Sequence, residues 1–282
     1  MSFDIYAAVT DRIIRQLESG CIPWQKPWSG IHSGAISGTT GKPYSLLNQM
    51  LLGKPGMYFT FNQIQKMGGH VRKGEKSQME VFWKQIPTKE LNSQTGEQQE
   101  KVIPVLRYYN VFHIDQIGGL NSAPVIEPKQ PVTHAQADEI ISEYIQRFGV
   151  KLDHRIGDEA FYSPSADQIV LPVVEQFNST AEYYSTAFHE LTHSTGHRSR
   201  LDRLRASVHF GSDSYSKEEL VAEIGAAALM NYAGLETAAT IRNSAGYIQS
   251  WLRALRNDKR LIVTASGAAS RAFEYIIGKE EM

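Results

Sequence analysis

Apolar residues recur every three to five positions near the start of the chain. Between residues 4 and 19 this stripe is formed by Ile5, Ala8, Val9, Ile13 and Leu17. The spacing predicts an amphipathic helix, and Gly20 is of the residue type that commonly ends one. Residues 79–87 and 102–114 are rich in β-branched and aromatic side chains, which predicts two strands. The polar segment 88–100 between them is expected to be a mobile hairpin loop.

The second half of the chain predicts helices and short strands in alternation. A helical pattern covers residues 134–149, and three short strands are expected at 150–155, 159–163 and 167–172. A further helix is expected to begin at Ser179, with Glu182 as its capping-box partner. With the front half, this predicts an α+β fold class.

A proline-rich segment separates two parts of opposite charge. Residues 121–133 contain three prolines. Up to residue 122 there are 13 Lys and Arg against 9 Asp and Glu, whereas the rest of the chain has 16 against 21. We therefore expect two domains with different tasks, at 1–122 and 134–282, joined by a linker at 123–133.

Several classes of protein are excluded by simple counts. No run of 18 apolar residues is present, so no transmembrane helix and no membrane partner are expected. The N-terminus lacks the basic and apolar regions of a signal peptide. Cys21 is the single cysteine, which excludes an internal disulfide and thiolate-rich zinc sites. A cytoplasmic protein is expected.

Basic and aromatic residues are interleaved in glycine-rich turns of the front half. Such a surface suits single-stranded DNA, because cations follow the phosphates while rings stack on unpaired bases. The candidate DNA-binding residues are Trp24, Lys26, Trp28, Lys42, Tyr44, Asn48, Arg72, Lys73 and Lys76. The alternative is that Trp24 and Trp28 anchor the first helix in the core and the lysines are merely solvated. Double-stranded DNA is a less favoured partner, since no basic recognition helix is evident.

Residues 188–197, FHELTHSTGH, contain the H-E-x-x-H pattern of zinc peptidases. His189 and His193 are four apart, so both imidazoles project from one face of a helix. Glu190 lies on the flank, where it can act as general base towards a water molecule rather than bind the metal. The alternative is a solvated helix with incidental histidines.

The third metal ligand must come from elsewhere in the chain. The metzincin pattern requires histidine where this chain has Ser199, so it is excluded. A later helix offers Glu219 and Glu223, four apart on one face, as in the gluzincins. We expect Glu219 to bind the metal and Glu223 to orient an imidazole, with the reverse assignment open. Glu218 lies about 100° around the helix and is expected at the surface.

Motifs in both halves resemble those of ArdC-type antirestriction proteins. The segments DRIIRQLESGCIPWQKPW, GKPYSLLNQMLL, FTFNQIQKMGGHVRKGEKS and YYNVFHIDQI are similar to the single-stranded-DNA-binding domain of that family, which also occurs in related plasmid primases. FYSPSADQIVLP, YYSTAFHELTHSTGH and EELVAEIGAA are similar to its zincin-like metallopeptidase domain. The resemblance implies that His197 supports the site without binding the metal.

The resemblance also implies a function. It implies an antirestriction protein that binds single-stranded DNA and protects incoming plasmid DNA from host restriction enzymes, with Zn²⁺ in a gluzincin-type domain. Mn²⁺ or another divalent transition metal is the alternative ion. The alternative function is that of a DNA-localised zinc metalloprotease which cleaves a host protein such as a restriction subunit. The basic segment 198–210 is expected either to touch DNA or to order the rim of the metal site.

Overall fold

The first helix begins where its sequence predicts. The computed structural model describes residues 3–25, 34–91, 98–119, 134–157, 159–177, 179–204, 213–235 and 244–279. Helix α1 spans Ile5–Glu18, and the Asp4 carboxylate caps it by accepting the N–H of Ala7 at 3.1 Å. Val9, Ile13 and Leu17 are buried, so the predicted apolar stripe faces the core.

The front half is built on a four-stranded sheet. After α1 its elements are β1 (Ala35–Ser37), α2 (Leu46–Leu52), β2 (Gly56–Thr60), α3 (Phe61–Lys66), β3 (His70–Val71), β4 (Gln78–Leu91), β5 (Gln98–His113) and β6 (Ile117–Gly118). The strand order is β1-β2-β5-β4, with β1 parallel to β2 and the other pairs antiparallel. β3 and β6 form a separate antiparallel pair.

Strands β4 and β5 form a hairpin that is longer than predicted. They pair without interruption from Gln78 opposite Val111 to Leu91 opposite Gln98. The expectation of a loop was therefore wrong at 88–91 and 98–100, where both strands continue, whereas residues 92–97 lie outside the described residues. Strand pairing uses backbone groups, so polar residues such as Thr88 and Lys101 can stand opposite each other in a hairpin that leaves the core.

Two neighbouring amide side chains of helix α2 form hydrogen bonds with the two edge strands of the front sheet. Asn48 donates to the carbonyl of Val81 in β4 and accepts its N–H, both at 2.8 Å. Gln49 donates to the carbonyl of Ala35 in β1 at 2.8 Å and accepts its N–H at 2.6 Å. Backbone groups that an edge strand leaves unpaired are thus satisfied on both sides.

The back half contains the helices and strands that its sequence predicts. Its elements are α4 (His134–Phe148), β7 (Lys151–Arg155), β8 (Phe161–Ser163), β9 (Gln168–Pro172), α5 (Thr180–Ser194), α6 (Asp213–Tyr232), α7 (Ser244–Asn257) and α8 (Leu261–Ile276). The three strands form one sheet in the order β7-β9-β8, with β9 central. Helices α4 and α5 pack with this sheet around a core that includes Tyr144, Ile169 and Phe188.

The two halves share a hydrophobic core. Residues of α1 and α2 pack in one cluster with residues of α6, α7 and α8. Trp24 meets Trp251 edge-on at 5.1 Å between ring centroids, and the Thr10 hydroxyl donates to the Lys259 carbonyl at 2.7 Å. The division into two domains stays a prediction, since the expected linker at 123–133 lies outside the described residues.

Helix α6, at 20 residues the longest described helix, is buried on opposite sides. Leu220 and Val221 contribute to the core shared by the two halves, whereas Leu229 and Met230 pack in the core of the back half. Neither α6 nor any other helix in the described ranges has the length and hydropathy needed to cross a membrane.

Candidate metal centre and front surface

Helix α5 presents two histidines towards each other. It begins as predicted, with the Ser179 hydroxyl accepting the N–H of Glu182 at 3.2 Å. His189 and His193 are one turn apart, and their Nε2 atoms are separated by 3.1 Å. The imidazole rings stand nearly perpendicular, at 79°. Two nitrogen lone pairs can therefore meet at one point beside the helix.

Glu219 of α6 completes a triangle of possible ligand atoms. Its carboxylate oxygens lie 3.4 Å from His193 Nε2 and 3.6 Å from His189 Nε2. The two helices approach closely here because α6 has Gly225 opposite Thr192. A β-carbon at residue 225 would lie only 2.6 Å from the Thr192 methyl group. The glycine therefore allows α6 to bring its carboxylate against α5.

The triangle has the dimensions of a metal site. Zinc bonds to imidazole nitrogen and carboxylate oxygen are about 2.0–2.2 Å long, so tetrahedral donors stand about 3.4 Å apart. The two Nε2 atoms are 3.1 Å apart, and one Glu219 oxygen lies 3.4 Å from His193 Nε2 while the other lies 3.6 Å from His189 Nε2, all close to that value. Within the described part of the chain, His189, His193 and Glu219 are the group of three such residues whose ligand atoms converge.

Each imidazole has a carboxylate behind it. Glu218 Oε1 lies 3.3 Å from His193 Nδ1, and Glu223 Oε1 lies 3.8 Å from His189 Nδ1. Glu223 is thus near an imidazole, and the expectation that it orients one stays a prediction. Glu218 was expected at the surface, and that expectation was wrong because it is only 8% exposed. Glu218 faces His193 and is covered by Arg203, so a step of about 100° around the helix does not lead to solvent.

Arg203 holds Glu218 against the end of α5. Its guanidinium donates to Glu218 Oε1 at 3.0 Å and Oε2 at 3.2 Å. It also donates to the Thr192 carbonyl at 2.9 Å and to the Thr195 hydroxyl at 2.8 Å. One side chain therefore fixes the carboxylate behind His193 and satisfies the last turn of the helix.

Arg200 anchors the same segment to the sheet. It donates to the Ser194 carbonyl at 2.8 Å, to the Tyr162 hydroxyl at 3.0 Å and to both carboxylate oxygens of Asp167. Of the two roles expected for segment 198–210, ordering the rim of the site fits residues 198–204. Residues 205–210 lie outside the described ranges.

His197 belongs to the turn that follows α5. Its Nδ1 accepts the N–H of Ser199 at 3.2 Å and lies 2.7 Å from the Ser199 hydroxyl. Its backbone carbonyl accepts the N–H groups of Arg200 and Asp202. These contacts fold the chain back after Gly196, which brings Arg203 to α5.

Opposite charges shift the pKa values of His193 and Glu219 in the candidate metal centre. Burial alone would lower the pKa of His193, but hydrogen bonds to Glu218 and Glu219, with Glu190 nearby, raise it to about 10. Burial would also raise the pKa of Glu219, yet the two imidazoles hold it well below its ordinary value. Without a metal the cationic form of His193 is therefore stabilised, and a metal ion must displace its proton.

Glu190 is enclosed beside this cluster. It follows His189 on α5 and is only 6% exposed. Its negative charge helps to raise the pKa of both His189 and His193. This influence indicates that the Glu190 carboxylate is near both imidazoles, and its role as general base stays a prediction.

Two family models match the chain in separate stretches. One, described as the N-terminal domain of anti-restriction factor ArdC, matches residues 3–112. The other, described as a zincin-like metallopeptidase, matches residues 137–268. The metal-free crystal structure of the antirestriction ArdC protein from plasmid R388 is 37% identical, with a TM-score of 0.76, and the match covers 98% of each chain. This chain belongs to the ArdC family.

Further relatives match this chain over different shares of their own lengths. A Mn(II)-bound crystal structure of the same R388 protein is 35% identical, with a TM-score of 0.77 over 98% of each chain. The uncharacterized protein y4eC of Sinorhizobium fredii is 32% identical over 97% of this chain and 91% of its own length. Two DNA primases TraC of Escherichia coli are each 35% identical, but this chain spans only 20% and 27% of their lengths.

The ArdC-like front half has its predicted DNA-binding residues in different environments. Trp24 is 2% exposed and packs on Trp251, and Asn48 is 5% exposed and bonded to β4. Tyr44 is half-buried and makes an edge-on contact with Tyr58. The exposed members are Lys42, Arg72, Lys73 and Lys76. Lys26 and Trp28 lie outside the described residues.

Three exposed rings of this half lie elsewhere, on the β4–β5 hairpin, in addition to the exposed Phe3 and Phe61. Trp83 is 51% exposed, Tyr109 is 52% exposed and Tyr108 is 38% exposed. The sequence pattern predicts these strands but not that these three rings are exposed. The signal available was the pair Tyr108–Tyr109, because neighbouring residues of a strand point to opposite faces and one ring must leave the apolar side.

Proposed function

We propose that this ArdC-family protein is a cytoplasmic antirestriction protein that binds single-stranded DNA through its front half. Its back half binds a divalent metal ion through His189, His193 and Glu219. The observation that carries the proposal is the triangle of donor atoms, at separations of 3.1–3.6 Å, within a zincin-like domain. The R388 relative is named an antirestriction protein, which supports protection of incoming plasmid DNA as the role.

Zinc is the ion we propose. Two imidazoles and a carboxylate are the ligand set of many catalytic zinc sites, in which a fourth position stays open. Manganese is the alternative, because the R388 relative has a Mn(II)-bound structure and Mn²⁺ also accepts carboxylate ligands. Metal analysis of the purified protein, followed by competition between the two ions in a calorimeter, decides between them.

The remaining residues of the centre have separate tasks in this proposal. A bound divalent ion supplies Lewis acidity, which makes water acidic near neutral pH and polarises a carbonyl group. Glu190 then accepts and returns the proton as general base. Glu218 and Glu223 hold the Nδ1 sides of the two imidazoles, so that both Nε2 atoms stay directed at the ion.

Occlusion of DNA is the proposed mode of protection, and Glu190→Gln tests it. A protein that protects by covering DNA needs no general base, so this variant should protect a transferred plasmid as well as the wild type. The measurement is the number of transconjugants in a restricting recipient relative to a restriction-deficient one. Loss of protection with unchanged DNA binding contradicts occlusion.

A second candidate function is proteolysis of a host protein such as a restriction subunit. The buried Glu190 beside the three proposed ligands favours it, since occlusion does not require that residue. Restriction subunits incubated with wild-type protein and with Glu190→Gln should then be cleaved by the wild type alone. Absence of cleavage by both, with metal bound, contradicts this candidate.

Mobility shifts over a salt series test the DNA-binding half. Single-stranded oligonucleotides should bind more tightly than duplexes of the same sequence, because stacking requires unpaired bases. Affinity should fall as salt rises, since phosphate contacts release counterions. A preference for duplex at all salt concentrations contradicts the single-strand assignment and leaves double-stranded DNA as the partner.

A further inference from the structure

The β4–β5 hairpin has two faces of different chemistry. Side chains of residues paired across antiparallel strands lie on the same face. Trp83 and Tyr108 share one face with Val81 and Leu106, both of which are buried in the core. The opposite face, called here the Phe82 face, carries Phe82, Lys84, Arg107 and Tyr109.

Two aromatic rings are stacked on the Phe82 face. Phe82 and Tyr109 lie nearly parallel, at 16°, with 4.7 Å between ring centroids. They are diagonal neighbours on adjacent strands, which is within reach for aromatic side chains. Tyr109 is 52% exposed, so the outer part of this pair offers a flat surface to a ligand.

Positive charge surrounds these rings. Arg107 stands directly opposite Phe82, and Lys84 is two residues farther along β4 on the same face. Both are exposed, and neither forms an ion pair with any residue in the described part of the chain. Among residues 80–86 and 103–109 the acid on this face is Glu80, opposite Tyr109; it is bonded to the Tyr44 hydroxyl, and burial raises the pKa of its carboxyl group.

The other face lacks this charge. Its residues between positions 79 and 87 and between 102 and 110 include Trp83 and Tyr108 but no Lys, Arg, Asp or Glu. Tyr108 there contacts Phe3, at 5.1 Å between centroids. A polyanion therefore finds cations beside aromatic rings only on the Phe82 face of this hairpin.

We propose that single-stranded DNA binds across the Phe82 face. An unpaired base stacks on the Phe82–Tyr109 pair, while Arg107 and Lys84 contact the flanking phosphates. The proposal rests on the DNA-binding function proposed above and adds the place of contact. It also explains a single-strand preference, since bases within a duplex have no free ring face to offer.

Binding of a fluorescent oligothymidylate to the full-length protein, followed by anisotropy, tests the assignment. Tyr109→Ala should weaken binding by about fivefold to 150-fold, whereas Tyr109→Phe, which keeps the ring, should bind like the wild type. Arg107→Ala should weaken binding and reduce the slope of log K against log salt by about 0.7. Trp83→Ala is the matched control, an equally exposed ring on the other face, and should bind like the wild type.

Two results overturn the assignment while leaving DNA binding intact. One is unchanged affinity in a folded Tyr109→Ala variant, and the other is an equal loss in Trp83→Ala. If the wild type fails to bind any single-stranded oligonucleotide, the proposed DNA-binding function itself falls, and this inference falls with it.

Crosslinking to the wild-type protein tests the same contact without a substitution. Irradiation of its complex with an oligonucleotide containing 5-iodouracil should attach the base to Phe82 or Tyr109. Crosslinks found by mass spectrometry only outside residues 80–109 overturn the assignment.

Discussion

The side chains of the candidate metal centre are buried or partly buried and contact one another, whereas Lys84, Arg107 and Tyr109 of the Phe82 face are exposed. The Glu218 carboxylate lies within hydrogen-bonding distance of His193 and accepts a hydrogen bond from Arg203, so its neighbours hold it in place. Arg107, by contrast, makes no ion pair with any described residue. A metal site needs donors held in fixed geometry, whereas a surface for a flexible strand needs charges that remain available. Substitutions should therefore have different consequences in the two regions.

The largest effect is expected from removing the carboxylate that completes the triangle. Glu219→Ala leaves two histidines and should lower metal affinity by more than the 10–100-fold that loss of an outer partner costs. Calorimetric titration measures it. Lys217→Ala, an exposed change on the same helix, is the control and should bind metal normally. Undiminished affinity in Glu219→Ala shifts the ligand role to Glu223.

Trp24→Ala should mainly affect the free energy of unfolding. Trp24 is buried against Trp251 in the core that both halves share, so truncation should cost about 3–5 kcal/mol. The exposed Trp83→Ala should change it by less than about 0.5 kcal/mol. Urea denaturation measures both. A stable Trp24→Ala variant with weakened DNA binding contradicts the core role and restores the DNA-binding prediction.

Glu218→Gln tests whether the carboxylate behind His193 supports metal binding. The change keeps the shape of the side chain but removes the charge that His193 and Arg203 share, so metal affinity should fall about 10–100-fold. DNA affinity should not change, because the Phe82 face is a separate surface. Glu175→Gln, an exposed substitution in the back half, is the control. Equal metal affinity in both variants rules out a supporting role for Glu218.

A smaller effect is expected from pH. The raised pKa of His193, about 10, stabilises the metal-free protein fully below the ordinary histidine value, and this contribution is lost as pH rises towards 10. The lowered pKa of Glu219 gives stability the opposite pH dependence, because its contribution is lost as the pH falls. Metal binding displaces the histidine proton, so affinity should rise up to about tenfold per pH unit between pH 7 and 9. Thermal melting with and without metal measures this, and pH-independent affinity contradicts it.

More of the metal centre than of the front surface could be predicted from the sequence. Helical spacing puts His189 and His193 on one face, and four residues separate Glu219 from Glu223. Both relations are local, and the structure preserves them. The burial of Glu218 is not local, because it depends on His193 of α5 and on Arg203, which the turn after α5 brings against its carboxylate.

The front surface depends almost wholly on tertiary structure. Trp24 and Tyr109 are both aromatic residues near basic ones in the sequence, yet one is buried and the other is exposed. What separates them is the packing of α7 against α1 and the length of the β4–β5 hairpin, neither of which is encoded by nearby residues. Composition therefore predicts a kind of surface without its location.

Diffraction from metal-soaked crystals at the zinc and manganese absorption edges tests the central claim most directly. The account predicts one anomalous peak about 2.0–2.2 Å from His189 Nε2, His193 Nε2 and a carboxylate oxygen of Glu219, with a fourth position open beside Glu190. A peak bound by Glu218 or Glu223 in place of Glu219, or no peak at saturating metal, would contradict it.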